Sequence, residues 1–402
     1  MVIGIIGGGA SGMAAALEAS KNPNVQVVLF ERQARLGKKL LATGNGRCNL
    51  SNTNAGKTGY HGQDPDFVSN ALEQMPPEVT LGWFADMGLL TVTESTGRVY
   101  PYSDQANSVV DILRFALEKP NIRLCLGAEV GKISKADRGF SVSTDAETVF
   151  CDKVIIACGG LAGTKLGGTM AGYKLLSKFG HKSTKLRPAL VQLKTAWPGV
   201  TSLKGVRANC HVQILRDGKL HSESTGELQF TDYGLSGPVI FETSRDACFG
   251  GGIWTAKLDF LPQWDEKRLL SALSSRPGNL GSEDLLTGIL HNRLGRVLTK
   301  AAGIGQCPIE ELSADELTGV CAAVKAFEIS LTEPMGMDSA QVTAGGVMTA
   351  DFDPATMESR LVPGLYACGE VLDIDGDCGG YNLQWAWSSG CLAGRSAGKE
   401  TL

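Results

Sequence analysis

Between Val2 and Glu31 the chain carries the arrangement that most narrows its fold: apolar strand, glycine turn, small-residue helix, then a second apolar strand ending in an acid. Val2, Ile3, Ile5 and Ile6 read as a parallel strand covered on both faces. The strand runs into Gly7-x-Gly9-x-x-Gly12, and from Ser11 to Ala19 the residues are small and apolar, as suits a helix lying close on a sheet. Gly7 permits the tight turn, Gly9 lets a pyrophosphate approach the backbone, and Gly12 allows close helix–strand contact. The helix start at Ala10 and Ser11 then offers unpaired N–H groups and a positive dipole end to phosphates. Val25–Phe30 forms the second strand, and Glu31 stands where an acid would hold a ribose hydroxyl, about 20 residues on. This is a dinucleotide-binding βαβ unit.

A chain of 402 residues has room for two or three domains. Its net charge of −4 gives no overall basic footprint, which disfavours RNA as a partner and an anionic membrane as a surface. No stretch approaches the roughly 18 uninterrupted apolar residues of a membrane span. The first strand begins at residue 2, leaving no room for a leader, and the eleven cysteines include no C-x-x-C pair. Both observations predict a cytoplasmic protein with reduced thiols. The missing pair also argues against a redox dithiol beside a flavin.

Beyond the first unit, a Gly- and Asn-rich loop spans Leu36–Asn52, and helical patterns follow near Asp66–Met75, Pro77–Met87 and Ala106–Glu118. Asn121–Leu126 and the run from Lys153 to the Gly159-Gly160 pair read as further strands. Past Arg187-Pro188 the pattern changes: Val206–Leu215, Glu227–Phe230 and Val239–Thr243 look like strands, and Glu283–Ala302 and Asp315–Lys325 like helices. Leu361–Glu370 resumes the α/β style, and Gly379-Gly380 opens a closing helix. The expected organisation is one nucleotide-binding domain, 1–188 with 336–402, interrupted by an insertion at 189–335. That insertion is β-rich over 189–263 and 326–335 and helical over 264–325.

One fingerprint with its acid suits NAD or FAD, and three features favour FAD. A large part of the chain serves the same domain, as a flavin's ribityl chain and ring system require. The segment Tyr366–Glu370, with Asp373 and the Gly379-Gly380 helix start, can return to the flavin end, where its N–H groups would face developing negative charge. Gly127–Val130, after a strand, would let backbone atoms meet the adenine.

These segments resemble the BaiN/RdsA (YhiN-type) family of NAD(P)/FAD-dependent oxidoreductases over essentially the whole chain. The matching stretches are Gly7–Gly12, Thr43–Asn52, Ala157–Gly160, Phe230–Pro238, Val362–Gly369 and, most specific, Gly379–Ser389. The resemblance implies an α/β, Rossmann-like FAD-binding domain of the glutathione-reductase type, with an inserted β-barrel-like and helical part. It also implies non-covalent FAD with Arg47, Cys48 and Asn49 near it. Residues and resemblance together give the expected cofactor set: Gly7, Gly9, Ala10, Ser11, Gly12, Glu31, Arg32, Lys39, Gly46, Arg47, Cys48, Asn49, Val130, Cys158, Gly159, Gly160, Gly369, Glu370, Asp373, Gly380, Tyr381, Asn382 and Leu383.

The catalytic candidates are fewer. Arg47 would place positive charge near flavin or substrate, or simply position a phosphate. Cys48 would touch the flavin or serve as a small buried residue, and Lys38 and Lys39 would neutralise the pyrophosphate or form a solvated pair. Asn382 would contact the flavin or cap its helix. Trp385 and Trp387, two apart, cannot share one helix face, so one is expected in the core and one at an interface. Tyr100, Tyr233 and Tyr381 are candidate proton donors. The family often has Phe-Thr-His-x-Gly-Leu-Ser-Gly-Pro where this chain has Phe230-Thr-Asp-Tyr-Gly-Leu-Ser-Gly-Pro238. A donor role at Asp232 is thereby in doubt, because a carboxyl donates poorly unless burial raises its pKa. The five histidines show no metal-ligand spacing, so no metal is expected.

The function these readings imply is hydride transfer through flavin N5 at a small organic substrate, as an NAD(P)H-linked reductase of a conjugated C=C bond. The substrate is expected between flavin and insertion. Amine oxidation, reduction of uridine in ribosomal RNA and a non-catalytic redox sensor remain as alternatives.

Overall fold

The run Val2–Ile6 forms β1, the middle strand of a five-stranded parallel sheet. Its neighbours are β2 (Gln26–Glu31), which continues to β3 (Ile122–Leu126), and on the other side β4 (Lys153–Ile156), which continues to β5 (Leu365–Ala367). Ile5 pairs with Leu29 and Ile155, and all three are fully buried. An unbroken apolar strand is what a sheet covered on both faces demands. The computed structural model describes residues 1–399 and divides into two units. One unit comprises Met1–Arg187 and the chain from Gln341 onward, and the other is Pro188–Ala340.

In the first unit the helix after the glycine turn is α1 (Ala10–Ala19), buried from Ser11 to Ala19. Its outer face is covered by α2 (Tyr381–Ala397). Gly390, Gly394 and Gly398, spaced by four, meet Ser11, Ala15 and Ala19, also spaced by four. A Cβ at Gly390 or Gly394 would collide with the carbonyl oxygen of Ser11 or Ala15. Small residues on both helices therefore let their backbones touch. Two short antiparallel pairings finish this unit near the start of α2: Tyr60–His61 with Asp375–Gly376, and Ser51–Asn52 with Arg98–Pro101.

The second unit is built on a closed barrel in the order Leu193–Thr195, Gly234–Ser236, Lys219–Phe230, Arg207–Arg216, Trp254–Asp259 and Phe327–Pro334. Alternate residues such as Val212, Ile214, Ala256, Leu258 and Ile329 fill its core. Four helices accompany it, Pro238–Thr243, Glu266–Ser274, Asn292–Ala301 and Ala314–Lys325. The last starts with a capping box formed by Ser313 and Glu316.

Two element expectations are corrected here. Val239–Thr243 is helical, within Pro238–Thr243, because Gly237 at φ 99° turns the chain and Pro238 sits in the first turn. A short apolar run cannot by itself distinguish helix from strand. Glu283–Ala302 is not one helix: a short 3-10 turn, Ser282–Asp284, ends early, and the helix proper begins only at Asn292, capped by the His291 side chain. Among the described residues no helix is long and apolar enough to cross a membrane.

Candidate functional site

The glycine turn behaves as three different devices. Gly7 adopts φ 112° against Ala157 at the end of β4, where a side chain has no room. A Cβ at Gly12 would strike the Gly7 carbonyl oxygen, so this glycine sets the closeness of α1 to β1. Above Gly9, by contrast, a Cβ would meet nothing within 4 Å. Gly9 is also the N-cap of α1 and no side chain caps it, leaving first-turn N–H groups aimed into that open space. Glu31 reaches back from the end of β2: its two carboxylate oxygens accept from Gly8 N and Gln33 N, each at 2.7 Å.

The C-terminal half closes on the same turn. Gly369, at φ 75°, lies so near Ser11 that a Cβ would fall 2.5 Å from its Oγ. The next residue, Glu370, accepts from Lys39 Nζ at 2.8 Å and from Thr343 N at 2.8 Å. Gly160 packs against Glu370 and Thr343, while Gly159 is open on its Cβ side. Cys158 donates its thiol proton to the Ile6 carbonyl, 3.4 Å away, and burial pushes that thiol up to about 12. Asp373 is buried and accepts from Gln63 N at 3.3 Å.

A third loop joins from residues 43–52. Gly44, Asn45, Gly46 and Cys48 have φ of 56°, 57°, 86° and 62°, with Arg47 at −91° between the last two. The loop folds back on itself, Arg47 N donating to Gly44 O at 3.2 Å and Cys48 N to Thr43 O at 2.9 Å. The Cβ side of Gly46 is open. The loop is pinned to the start of α2: Asn52 Nδ2 donates to Gly379 O at 2.8 Å, and Gly380, at φ 107°, has no room for a Cβ beside Ser51 and Asn49. Asn49, with its amide nitrogen turned inward, donates to Ser51 O at 3.0 Å and Val99 O at 3.3 Å.

Several expected roles change on this geometry. Arg47 lies over the Tyr100 ring at 4.0 Å and is ion-paired with Asp104 and, at 3.2 Å, with Glu94. Hydrogen bonding to Asp104, above all, raises its pKa, so its charge is already matched rather than held toward a ligand. Tyr100 is buried, and burial raises its hydroxyl. Cys48 is buried too, and burial pushes its thiol up to about 12, the small-core-residue alternative. Lys38 donates to Gln33 Oε1 at 3.2 Å, and Lys39 is the partner of Glu370, so neither is a loose pair. Asn382 gives its amide to the adjacent loop, accepting from Gly376 N at 2.8 Å and donating to Gly376 O at 2.7 Å. Tyr381 donates to Asn54 O at 3.3 Å, and Leu383 packs on the core. Arg32 donates to Gly167 O at 2.9 Å, away from the turn. Val130 starts a separate small sheet, and the turn before it is tied to the end of β2 by Ala128 N donating to Glu31 O and Gly127 N to Gln33 O.

Asp232 and Tyr233 lie in the second unit. Asp232 is exposed and paired with Lys204 at 2.7 Å, which holds its carboxyl below the ordinary value. The burial that a donor carboxyl needs is therefore absent at Asp232. Trp385 and Trp387 are 1% and 0% exposed, so both are core residues and neither lines an interface. Their indole N–H groups donate to Gly369 O and Leu50 O at 3.2 and 2.9 Å.

The motif Gly379–Ser389 also hides a network that sequence reading missed. Gln384, fully buried, accepts from Ser51 Oγ at 2.6 Å, and its Nε2 shares two protons among Met75 O, Thr80 Oγ1 and Ser388 Oγ at 2.9, 2.8 and 2.9 Å. Ser389 Oγ in turn accepts from Gly369 N at 3.0 Å. One helix thus fixes the 43–52 loop and the 369 turn. Three polar residues, Gln384, Ser388 and Ser389, in an otherwise apolar buried helix were the available signal.

A family model described as the HI0933-like protein Rossmann domain matches residues 1–396. The chain belongs to that family. Among curated proteins it is 40% identical over 406 residues to the 3-dehydro-bile acid delta(4,6)-reductase of Clostridium scindens, covering 99% of each chain. It is 31% identical over 385 residues to the ribosomal RNA dihydrouridine synthase of Escherichia coli, covering 96% of this chain and 95% of that one. Among solved structures it shares its fold with the 3-ketosteroid delta1-dehydrogenase of Sterolibacterium denitrificans, at TM-score 0.52 and 13% identity over 98% of this chain and 99% of that one. The chain is an FAD-dependent oxidoreductase with a Rossmann-type FAD-binding domain.

Proposed function

We propose that this chain reduces a C=C bond conjugated to a carbonyl in a small organic molecule, with NADH or NADPH as electron donor. The observation that carries this reading is the 40% identity, over 99% of each chain, to a reductase named for a 3-dehydro-bile acid. Bound FAD would supply hydride transfer at its N5 position.

The residues present fit FAD, since open space stands over Gly9, Gly46 and Gly159 where turns and helix starts converge. The uncapped α1 start would receive the pyrophosphate on its N–H groups. Glu31 keeps unused lone pairs for a ribose hydroxyl while it braces Gly8. The uncapped start of α2, to which the 43–52 loop is pinned, would hold the flavin end with its backbone N–H groups. Lys39 and Glu370 neutralise each other, so the pyrophosphate charge would be met by backbone and helix dipole rather than by a free lysine. With a single nucleotide fingerprint in the sequence, NAD(P)H would visit only transiently. The eleven free thiols suit a reducing cytoplasm.

Reduction of uridine in ribosomal RNA is the second reading, favoured by the Escherichia coli relative. The net charge of −4 weighs against it, because phosphate contacts call for clustered Lys and Arg. The test is anaerobic: bleach the flavin with NADPH or NADH, then add enones, uridine-containing RNA or amines in turn. Bleaching followed by reoxidation with an enone is expected. Reoxidation by RNA alone would transfer the assignment to the second reading, and a colourless protein that cannot take up FAD would overturn both.

A further inference from the structure

We propose that His61, held by Asp377, donates the proton that completes double-bond reduction, an inference that rests on the reading just given. Saturating a conjugated C=C takes one hydride and one proton. Hydride from the reduced cofactor adds at the carbon β to the carbonyl and leaves an enolate. The enolate electron pair then forms a C–H bond at the α carbon, an imidazolium N–H bond breaks, and water later restores that proton.

The first unit contains two histidines, His61 and His181. His181 is buried behind Phe352 and Ser359. His61 is 36% exposed in its side chain, with Nε2 2.7 Å from Asp377 Oδ1 and no hydrogen-bond partner for Nδ1 among the described residues. Histidine is the residue whose charge ordinarily changes near neutral pH, and a carboxylate on one ring nitrogen fixes which nitrogen does the chemistry.

The pair is held rigidly at the entrance to α2. His61 stands opposite Asp375, and Tyr60 opposite Gly376. Asp377 N donates to Gly59 O at 2.9 Å, and the Asn382 amide clamps Gly376 from the helix side. Gly59 leaves no room between itself and the Tyr381 ring, and Gly62 none beside Asp373 O. The charged groups around the imidazole are Asp377, Asp375 across the register and Asp373 at Gln63 N, opposed by the positive end of α2. The competing donors are engaged elsewhere: Tyr60 OH donates to Tyr381 O, Tyr100 lies under Arg47, and Tyr381 OH donates to Asn54 O.

The test separates the two half-reactions in wild type, His61→Gln and Asp377→Asn, with FAD content and melting temperature measured on each. Bleaching by NAD(P)H should be unchanged, while enone reoxidation slows about 10²–10⁴-fold in His61→Gln. The His61 ring N–H signal in proton NMR should move upfield in Asp377→Asn, with FAD bound or removed, because a neutral amide replaces the charged acceptor at 2.7 Å. Full FAD content with unchanged reoxidation in His61→Gln would overturn the proposal, as would an unmoved His61 ring N–H signal in Asp377→Asn. Failure of wild type to be reoxidised by any enone would instead strike the substrate reading.

Discussion

Glu31 serves the turn before it serves any ligand. Both its oxygens accept backbone N–H groups, from Gly8 and Gln33, so its removal would loosen the turn as well as the ribose contact. Glu31→Ala should cost about 2 kcal/mol of stability, the scale of a hydrogen bond to a charged group, and weaken FAD retention. Equilibrium unfolding of the FAD-free protein, with FAD titration beside it, checks both; unchanged affinity would remove Glu31 from the cofactor set. Asp232→His should leave turnover within about twofold, since the carboxylate is an exposed partner of Lys204 and Histidine restored there would find no established role. A large gain in rate on that change would refute it. At this scale the sequence was half legible. The acid after β2 was visible from spacing, but the partners of Arg47, Glu94 and Asp104, lie 47 and 57 residues away, and no local pattern announces them.

The α1–α2 contact depends on the absence of side chains. Gly394→Val would push a branched group into the Ala15 carbonyl, and overpacking of this kind typically costs about 1–3 kcal/mol. A lowered melting temperature with reduced FAD content is expected, and a variant as stable as wild type would mean the helices can separate freely. Both helices were expected from their glycine starts and apolar runs. Their mutual contact was not, although the four-residue spacing Gly390, Gly394, Gly398 answers Ser11, Ala15, Ala19. Helix Pro238–Thr243 was misread as a strand because six residues hold too few turns for a period to show.

Acid should weaken the folded chain in two stages. Burial lowers the His181 pKa from 6.5, with Asp351 opposing, so the native state keeps it neutral. Its contribution is complete above the unfolded value and is lost as pH falls from there toward the lower folded one. Burial pulls the Glu18 carboxyl up, yet hydrogen bonds from Lys21 and Arg395 outweigh that and hold it below 4.5. Stability from Glu18 is present above 4.5 and lost as pH falls through its folded pKa. Denaturant midpoints measured from pH 8 to 4 should decline first below about pH 6.5, and His181→Gln should flatten that first decline. An unaltered profile would show that His181 titrates alike in both states. At this scale the FAD-binding fold was the most legible part, since strand, turn, helix and acid form one local pattern. The barrel's closure was not, because it joins strands such as Leu193–Thr195 and Phe327–Pro334 that are remote in sequence.

The sheet has an implication for how the protein is made. β5 and α2 are encoded after the whole of 188–340, which takes a ribosome roughly 8–30 s to translate at about 5–20 residues per second. Throughout that interval β4 has an unpaired edge and α1 a bare face of small apolar residues. The nascent chain therefore carries an open sheet edge and a bare helix face until the chain from Gln341 onward emerges.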